Sequence, residues 1–306
     1  VFSCGHPQDA GLPRRPTNIW ESPTSRGYSA SNYVMGSPPF IISLLTDFGD
    51  QDEYVGVMKG VILSRAPHAV IVDLCHQIVP HDIRQAAALI AASYHYFPEG
   101  ALHVMVVDPG VGGTRGIVFA QASTCGFLCP DNGLLTGMIA QGILHKAWRV
   151  TNRDLFSPTV SETFHGRDII APVAGFLASG NRPETLGPRQ PIGDLLCLEG
   201  SPARLEQDGS LWGTVVTVDR FGNVVTNIGR DLLTSSWEGA LKQSLMIEIA
   251  SRQTIPLVSS YSAVPIGGLL ATIGSRNTLE IAVNQGNAGM ILGVGPGTQI
   301  RVSRQT

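Results

Sequence analysis

No run in the 306-residue sequence reaches the ~18 uninterrupted apolar residues of a membrane-spanning helix, which argues against a membrane protein. Basic excess is also missing. Lysine and arginine number 21 against 24 aspartates and glutamates, so a net charge of −3 offers no field for nucleic acid or an anionic membrane surface. Cysteines are few, and their number is odd: Cys4, Cys75, Cys125, Cys129 and Cys197. Five scattered thiols do not make a disulfide framework, which favours a reducing, cytoplasmic compartment. Cys125 and Cys129 could form half of a metal site, but no second Cys/His pair at zinc spacing accompanies them. Phosphate cradles are missing too, since neither GxxxxGK[ST] nor GxGxxG occurs. What is present is a 43% hydrophobic, 15% charged composition, enough for a sizeable core.

Residues 1–38 are rich in Pro, Ser, Gly and Arg and show neither helical nor strand periodicity. They contain no apolar h-region of a signal peptide. Met35 precedes the first strand-like run, so the segment is expected to be a disordered tail or an upstream translation artefact, with the fold starting beyond it. From Phe40 the pattern alternates. An apolar run (Ile41, Ile42, Leu44, Leu45) leads to a turn at Thr46–Asp50 and a helical stretch through Tyr54, Val57, Met58, Val61 and Ile62. A strand (Val70–Leu74), a polar loop (Cys75–Asp82), a helix (Ile83–Phe97) and another strand (Leu102–Val107) follow.

Strands alternating with helices imply parallel βαβ units. Ligands bind such sheets beyond the carboxyl ends of the strands, which gathers Asp47, Cys75–Asp82 and Asp108–Arg115 on one rim. The stretch Gly187–Ser210 reads as a Pro/Gly-rich linker. After it come short strand-like runs at Leu211–Val218, Val224–Ile228, Leu245–Ile249, Leu270–Ile273, Leu279–Val283 and Ile300–Val302, as in a small antiparallel barrel. The fold class is therefore α/β: an amino-terminal Rossmann-like domain over 39–195 with a carboxy-terminal antiparallel β-barrel domain over 205–306.

Polar groups crowd the expected rim: Asp47, Asp50, His76, His81, Asp82, Asp108, Arg115, Asp131, Asn132, His165, Arg167 and Asp168. A single carboxylate after a strand often only caps the next helix. Several strand ends doing so together suggest a site, and two chemistries compete for it. Asp47, His76, His81, Asp82 and Asp108 could ligate a divalent metal in a phosphohydrolase. Alternatively, Asp108, Arg115 and His165 could hold a water without metal. Spacing alone does not choose between them.

The motifs Thr46-Asp47-Phe48-Gly49, Val72-Asp73-Leu74-Cys75-His76, Asp108-Pro109-Gly110-Val111-Gly112, Pro130-Asp131-Asn132-Gly133, Phe164-His165-Gly166-Arg167-Asp168, Asp219-Arg220-Phe221-Gly222-Asn223 and Gly274-Ser275 occur in this order. Together they closely resemble the S-adenosylmethionine hydrolase (hydroxide adenosyltransferase) family, relatives of the fluorinase and chlorinase, from about residue 40 to the end. The resemblance implies an α/β domain, a barrel domain and a homotrimer, with substrate between one subunit's α/β domain and its neighbour's barrel. It also implies hydrolysis of S-adenosyl-L-methionine by water attacking the ribose C5′, giving adenosine and L-methionine with no metal or other cofactor. The family's water-holding triad falls on Asp108, Arg115 and His165. Asp47 falls on the ribose-binding carboxylate, whose ionised form can accept from both hydroxyls. Asp219 matches the residue facing the methionine ammonium, Ser275 and Arg276 the pair facing its carboxylate, and Asn223 the adenine-reading amide.

Phe221 packs near adenine on this pattern, or else belongs to the barrel core. Against the halogenating branch, Asp108 replaces a Tyr, Gly166 a halide-binding Ser, His81 a Trp and Val225 another Trp, all pointing toward water as nucleophile. His81 either lines the pocket or caps the helix after it. A non-catalytic S-adenosylmethionine binder would need the adenine, ribose and methionine contacts but not an intact triad.

Overall fold

The computed structural model describes residues 39–200, 202–236, 244–249 and 251–304. The expected tail, 1–38, and Cys4 within it lie outside these residues. In the amino-terminal part, strand β1 (Ile41–Thr46) is followed by helix α1 (Tyr54–Arg65), β2 (Val70–Cys75), α2 (Ile83–Ser93) and β3 (Ala101–Val106). Strands β4 (Ile117–Ala122) and β5 (Cys125–Pro130), the short α3 (Thr136–Ala140) and β6 (Leu144–Arg149) come next. Helix α4 (Ala171–Ala178) and the two-residue β7 (Arg189–Gln190) complete this part.

The strands make a seven-stranded sheet in the order β2-β1-β3-β5-β4-β6-β7. The expected parallel pairing holds for β2, β1, β3 and β5. It then gives way to antiparallel neighbours, β5 with β4 and β4 with β6. The reason is local: only Ser123 and Thr124 separate β4 from β5, and a two-residue connection makes a hairpin but cannot cross over to a parallel strand.

Alternation along the central strands sends side chains into two cores. Ile42, Leu44, Val104 and Val106 pack with Met58 and Ile62 of α1 and Val173 of α4. Leu45, Met105 and Phe127 pack on the other face with Ala86 and Ile90 of α2 and Met138 of α3. A strand buried on both faces reads as a continuous apolar run, which is why β1 and β3 were legible as strands without polar alternation.

This topology positions a site. From β1 the chain steps to β2 on one side and then crosses to β3 on the other, so a crevice opens at the carboxyl ends of β1 and β3. Thr46 is paired in register with Val106, bringing the segments that carry Asp47 and Asp108 side by side.

The carboxy-terminal part has β8 (Arg204–Leu205), β9 (Leu211–Val218), β10 (Val224–Gly229), α5 (Arg230–Ser236), β11 (Ser244–Ile249) and β12 (Ser251–Pro256). Strands β13 (Leu269–Ile273) and β14 (Thr278–Val283), helix α6 (Ala288–Leu292) and β15 (Gln299–Arg304) follow. They form an antiparallel sheet ordered β12-β11-β15-β9-β10-β14-β13, with β8 paired to β9. A bridge between Leu257 and Ala271 brings its two ends together, so the barrel is nearly closed. Leu211, Val215, Val224, Ile247, Ile281 and Ile300 fill its interior.

The expected linker is tied down. Its β7 pairs with β6, Leu195 is buried, and Asp131 accepts the Leu196 N–H at 2.9 Å and the Gln190 amide at 3.2 Å. Weak periodicity hid these contacts because side chains and single turns, not a regular face, anchor the segment.

Candidate active site

At the carboxyl ends of β1 and β3 lies a pocket of about 570 Å³, large enough for a nucleoside-sized ligand. Asp47, His81, Asp108, His165 and Gly166 line it, with Phe48, Tyr54 and Phe164 as an aromatic wall. Those three rings touch one another with centroids 5.1 to 5.7 Å apart.

The loop after β1 is pinned from several directions. Gly49 N–H donates to the His76 carbonyl at 2.8 Å, and Thr46 Oγ1 lies 2.9 Å from His76 Nδ1. Asp47 Oδ2 accepts the His81 N–H at 2.9 Å, and its side chain is only 10% exposed. His81 holds φ at 71°, a left-handed conformation unusual outside glycine, and that turn aims its N–H at Asp47. The two readings of His81 separate here: it lines the pocket, and it is Asp82 that caps α2, accepting from Gln85 N–H at 2.9 Å. Asp47 is not a helix cap either, because α1 begins after Glu53.

Asp108, Arg115 and His165 are in direct contact. Arg115 Nε donates to Asp108 Oδ1 at 2.8 Å, and Arg115 Nη2 forms an ion pair with Asp108 Oδ2. The same Nη2 lies 2.8 Å from His165 Nδ1. Both members of the ion pair are nearly buried, at 10% and 5% exposure. Burial, followed by the charge of Arg115, lowers the His165 pKa below its ordinary value.

The Pro130-Asp131-Asn132-Gly133 segment fixes both ends of the loop that carries this pair. Asn132 Nδ2 donates to the Val107 carbonyl at 2.9 Å, next to Asp108. Asp131 N–H donates to the Gly116 carbonyl at 2.9 Å, next to Arg115. His165 stands at the start of a π-turn, Gly166–Ile170, that runs into α4. Behind it the nearly buried Asp168 accepts from Arg167 Nε at 2.7 Å and from Ser161 N–H at 2.9 Å, which holds the wall loop Ser161–Thr163.

On the barrel, Asp219 and Asn223 form one unit in the β9–β10 turn. Asp219 Oδ1 accepts the N–H groups of Phe221 at 2.8 Å and Asn223 at 2.9 Å, and Oδ2 accepts Asn223 Nδ2 at 3.0 Å. Phe221 is 78% exposed, so it is not part of the barrel core. Ser275 and Arg276 sit in the β13–β14 turn, Ser275 exposed and Arg276 half-buried. None of Asp219, Phe221, Asn223, Ser275 or Arg276 lines the pocket of Asp47 and Asp108. The structure therefore brings the candidate residues together as two sets within the chain, one on each sheet.

The metal reading loses its geometry. Among the described residues, no three His, Cys, Asp or Glu side chains converge as metal ligands. Asp82 is used as a cap, His76 faces Thr46 and Asp73, and Asp108 faces Arg115. Cys125 and Cys129 are buried free thiols on β5. Sequence reasoning passed over one acidic group on the barrel, Glu280, although a carboxylate inside Leu279-Glu280-Ile281 breaks an apolar strand run and was a usable signal.

An α/β layer with strand-end carboxylates and an Asp–Arg–His contact, followed by an antiparallel barrel, defines a protein of α/β-plus-barrel architecture with a polar pocket at its strand ends. The chain belongs to the SAM hydroxide adenosyltransferase family: the family's N-terminal domain matches residues 42–187 and its C-terminal domain residues 213–301. It is similar to the (R)-S-adenosyl-L-methionine hydrolase of Salinispora arenicola, 38% identical over 88% of this chain and 99% of that protein. The protein of the same name from Thermus thermophilus is 37% identical over 85% of this chain and 98% of its own length. Three fluorinases also match, at 25% to 30% identity. A solved structure of an uncharacterized conserved protein from Thermotoga maritima superposes with a TM-score of 0.80 at 34% identity, covering 86% of this chain and all of that one.

Proposed function

We propose that this protein hydrolyses S-adenosyl-L-methionine, water displacing methionine from the ribose C5′ to leave adenosine. The observation that carries the reading is the Asp108–Arg115–His165 contact set, in which Asp108 and His165 line the crevice pocket and Arg115 backs them, beside a carboxylate, Asp47, suited to a ribose diol. The hydrolase names of relatives that align over nearly their whole length support it.

The contacts support a set of protonation roles. A guanidinium has five donors and no acceptor, so His165 Nδ1 must accept from Arg115 and the neutral ring carries its proton on Nε2. Nε2–H then donates to the oxygen of the attacking water and orients it. Asp108 keeps free lone pairs on both oxygens and takes the water proton as the C–O bond forms. Arg115 bridges the two and stabilises the developing hydroxide charge. The C5′–S bond breaks with its electron pair on sulfur, which leaves as a neutral thioether and needs no general acid. The proton on Asp108 passes to solvent.

Alignment of water behind C5′ is worth up to roughly 7–11 kcal/mol. Three aromatic rings wall one side of the pocket, and attack of hydroxide on a sulfonium neutralises charge, so exclusion of water by bound substrate would penalise the transition state less than the reactants. In this reading the α/β domain spans 39–195 and the barrel domain 205–306. Asp219, Asn223, Phe221, Ser275 and Arg276 take the methionine and adenine ends from a neighbouring subunit's barrel in a homotrimer, because within one chain they do not line the pocket. The working compartment is the reducing cytoplasm. The test is turnover in oxygen-18 water with both sulfonium epimers: adenosine labelled at the 5′ oxygen, plus methionine, is expected. Methylthioadenosine or S-adenosylhomocysteine as product would overturn the assignment.

A further inference from the structure

Glu280 is 6% exposed, yet none of the ion pairs among the described residues joins it to a lysine or arginine. Among the described residues, the one hydrogen bond to its carboxylate comes from a neutral donor, the Tyr261 hydroxyl, at 2.6 Å. Sheet register explains where it points. Glu280 pairs with Val225 on β10 and Thr272 on β13, and Val225 pairs with Thr217 on β9. Register partners share a face, so these four side chains form one row. Their chain neighbours Ile281, Val224 and Ala271 fill the barrel core, which puts the row on the opposite face.

The carboxylate also reaches the β13–β14 turn: a Cβ on Gly274 would lie 2.5 Å from Glu280 Oε2. That glycine immediately precedes Ser275 and Arg276. Burial raises the Glu280 pKa; the Tyr261 hydrogen bond opposes this, and of the nearby charges Asp219 raises it further while Arg276 lowers it. Asp219 likewise acts on Tyr261, whose phenol is raised chiefly by burial and then by its bond to Glu280.

A buried carboxylate with no cation in ion-pair contact is costly, and one neutral hydrogen bond with the more distant charge of Arg276 offsets only part of that. It lies within electrostatic reach of the groups proposed to take the two ends of an amino acid, Asp219 for the ammonium and Ser275–Arg276 for the carboxylate. We infer that Glu280, held by Tyr261, is a second acidic specificity residue for the α-ammonium of the methionine moiety, with the substrate supplying the missing cation. The inference rests on the hydrolase reading above. With Glu280 ionised against the bound ammonium, Asp219, Glu280 and Arg276 carry a net charge of −1, matching a substrate whose sulfonium, ammonium and carboxylate sum to +1. Methionine leaves as a net-neutral zwitterion, so the attraction weakens after turnover.

The test is product inhibition of S-adenosyl-L-methionine hydrolysis by L-methionine and, separately, by adenosine, in the wild type, E280Q and Y261F. The amide of E280Q keeps the shape and the contact to Tyr261 but loses the charge. We expect its methionine inhibition constant to rise about 10-fold or more, the scale of a lost charge-assisted hydrogen bond, with adenosine inhibition unchanged. Y261F, at a 42% exposed position that does not threaten folding, should raise the methionine constant alone by a few-fold. Equal weakening of adenosine and methionine in E280Q, or methionine inhibition unchanged in both variants, would overturn the inference. A wild type that releases no adenosine from S-adenosyl-L-methionine is a separate result, and it overturns the hydrolase reading itself.

Discussion

Arg115 Nη2 donates to His165 Nδ1 at 2.8 Å while its Nε donates to Asp108 at 2.8 Å, so one guanidinium sets the geometry of both groups. Under the proposed mechanism these three residues position a single water and should fail as a unit. Asp108→Asn, Arg115→Ala and His165→Ala are each expected to lower kcat by about 10²-fold or more, with far smaller changes in KM. Their combinations should be markedly non-additive. Arg115→Ala also strands a buried carboxylate, at a cost of about 3–5 kcal/mol, so circular dichroism must accompany the kinetics. A His165→Ala enzyme with near-normal kcat and raised KM would make His165 a binding residue.

The pH dependence follows from the same contact. His165 must be neutral to accept from Arg115, and burial together with that cation lowers its pKa, against the opposing charges of Asp108, Asp168 and Glu162. A lowered pKa extends the neutral form to lower pH, so activity should persist below the ordinary histidine value of 6.5 and fall only beneath it. A kcat/KM profile whose acid limb lies above 6.5 would contradict this protonation scheme.

Stability should depend on pH through another histidine. His103 is fully buried, with its Nδ1 2.7 Å from Ser43 Oγ and its ring among Phe97 and Phe127, and burial lowers its pKa to about 4. Between that value and 6.5 the unfolded chain takes up a proton that the native state refuses. Stability is therefore full above the unfolded pKa and declines as pH falls through this window, by roughly 3 kcal/mol from this residue. Chemical denaturation at pH 7 and pH 4.5 measures it, and His103→Gln should flatten the difference; an unchanged slope in that variant would reject the assignment.

High halide should give no 5′-chloro- or 5′-fluoro-deoxyadenosine. Gly166 offers no hydroxyl, and the Asp108 carboxylate repels an anion. Restoring a serine at 166 should not create halogenase activity, because Asp108 remains and the new Cβ would sit 3.2 Å from both Met58 Sδ and Phe164. Halogenated nucleoside from the wild type, detected by mass, would refute the reading.

A site shared between subunits predicts complementation. Asp108→Asn and Asp219→Ala proteins should each be nearly inactive at low substrate. Unfolded and refolded together, they should regain part of the activity, since some interfaces then pair two intact halves. No recovery in verified mixed oligomers, or a fully active monomer by light scattering, would refute the shared site.

Much of this was legible in the sequence, for identifiable reasons. β1 and β3 are buried on both faces, so their apolar runs declared strands, and β9 alternates buried and half-buried positions along its eight residues. Six barrel strands were readable in the same way; the two-residue β8 was read as linker, and β12 was missed because its run Ser251–Pro256 has too few apolar residues to announce itself. Asp47 and Asp108 stood out because each follows an apolar strand, whereas His165 lies in an irregular stretch and was marked by the resemblance of Phe164-His165-Gly166-Arg167-Asp168 to a family motif.

Other features depend on contacts between residues far apart in the chain, which no local pattern encodes. Arg115 and His165 are fifty positions apart, and only the fold could show that a guanidinium donates to Nδ1 and thereby fixes which nitrogen carries the proton. His81 could line or cap until Asp82 was seen to hold the Gln85 amide. Glu280 became notable through strand register and burial, which put its charge beside Tyr261 and the Gly274 turn. Hydrophobic periodicity is local and set which segments became strands and helices. The protonation, pairing and isolation of charges are pairwise and long-range, so the tertiary structure decided them.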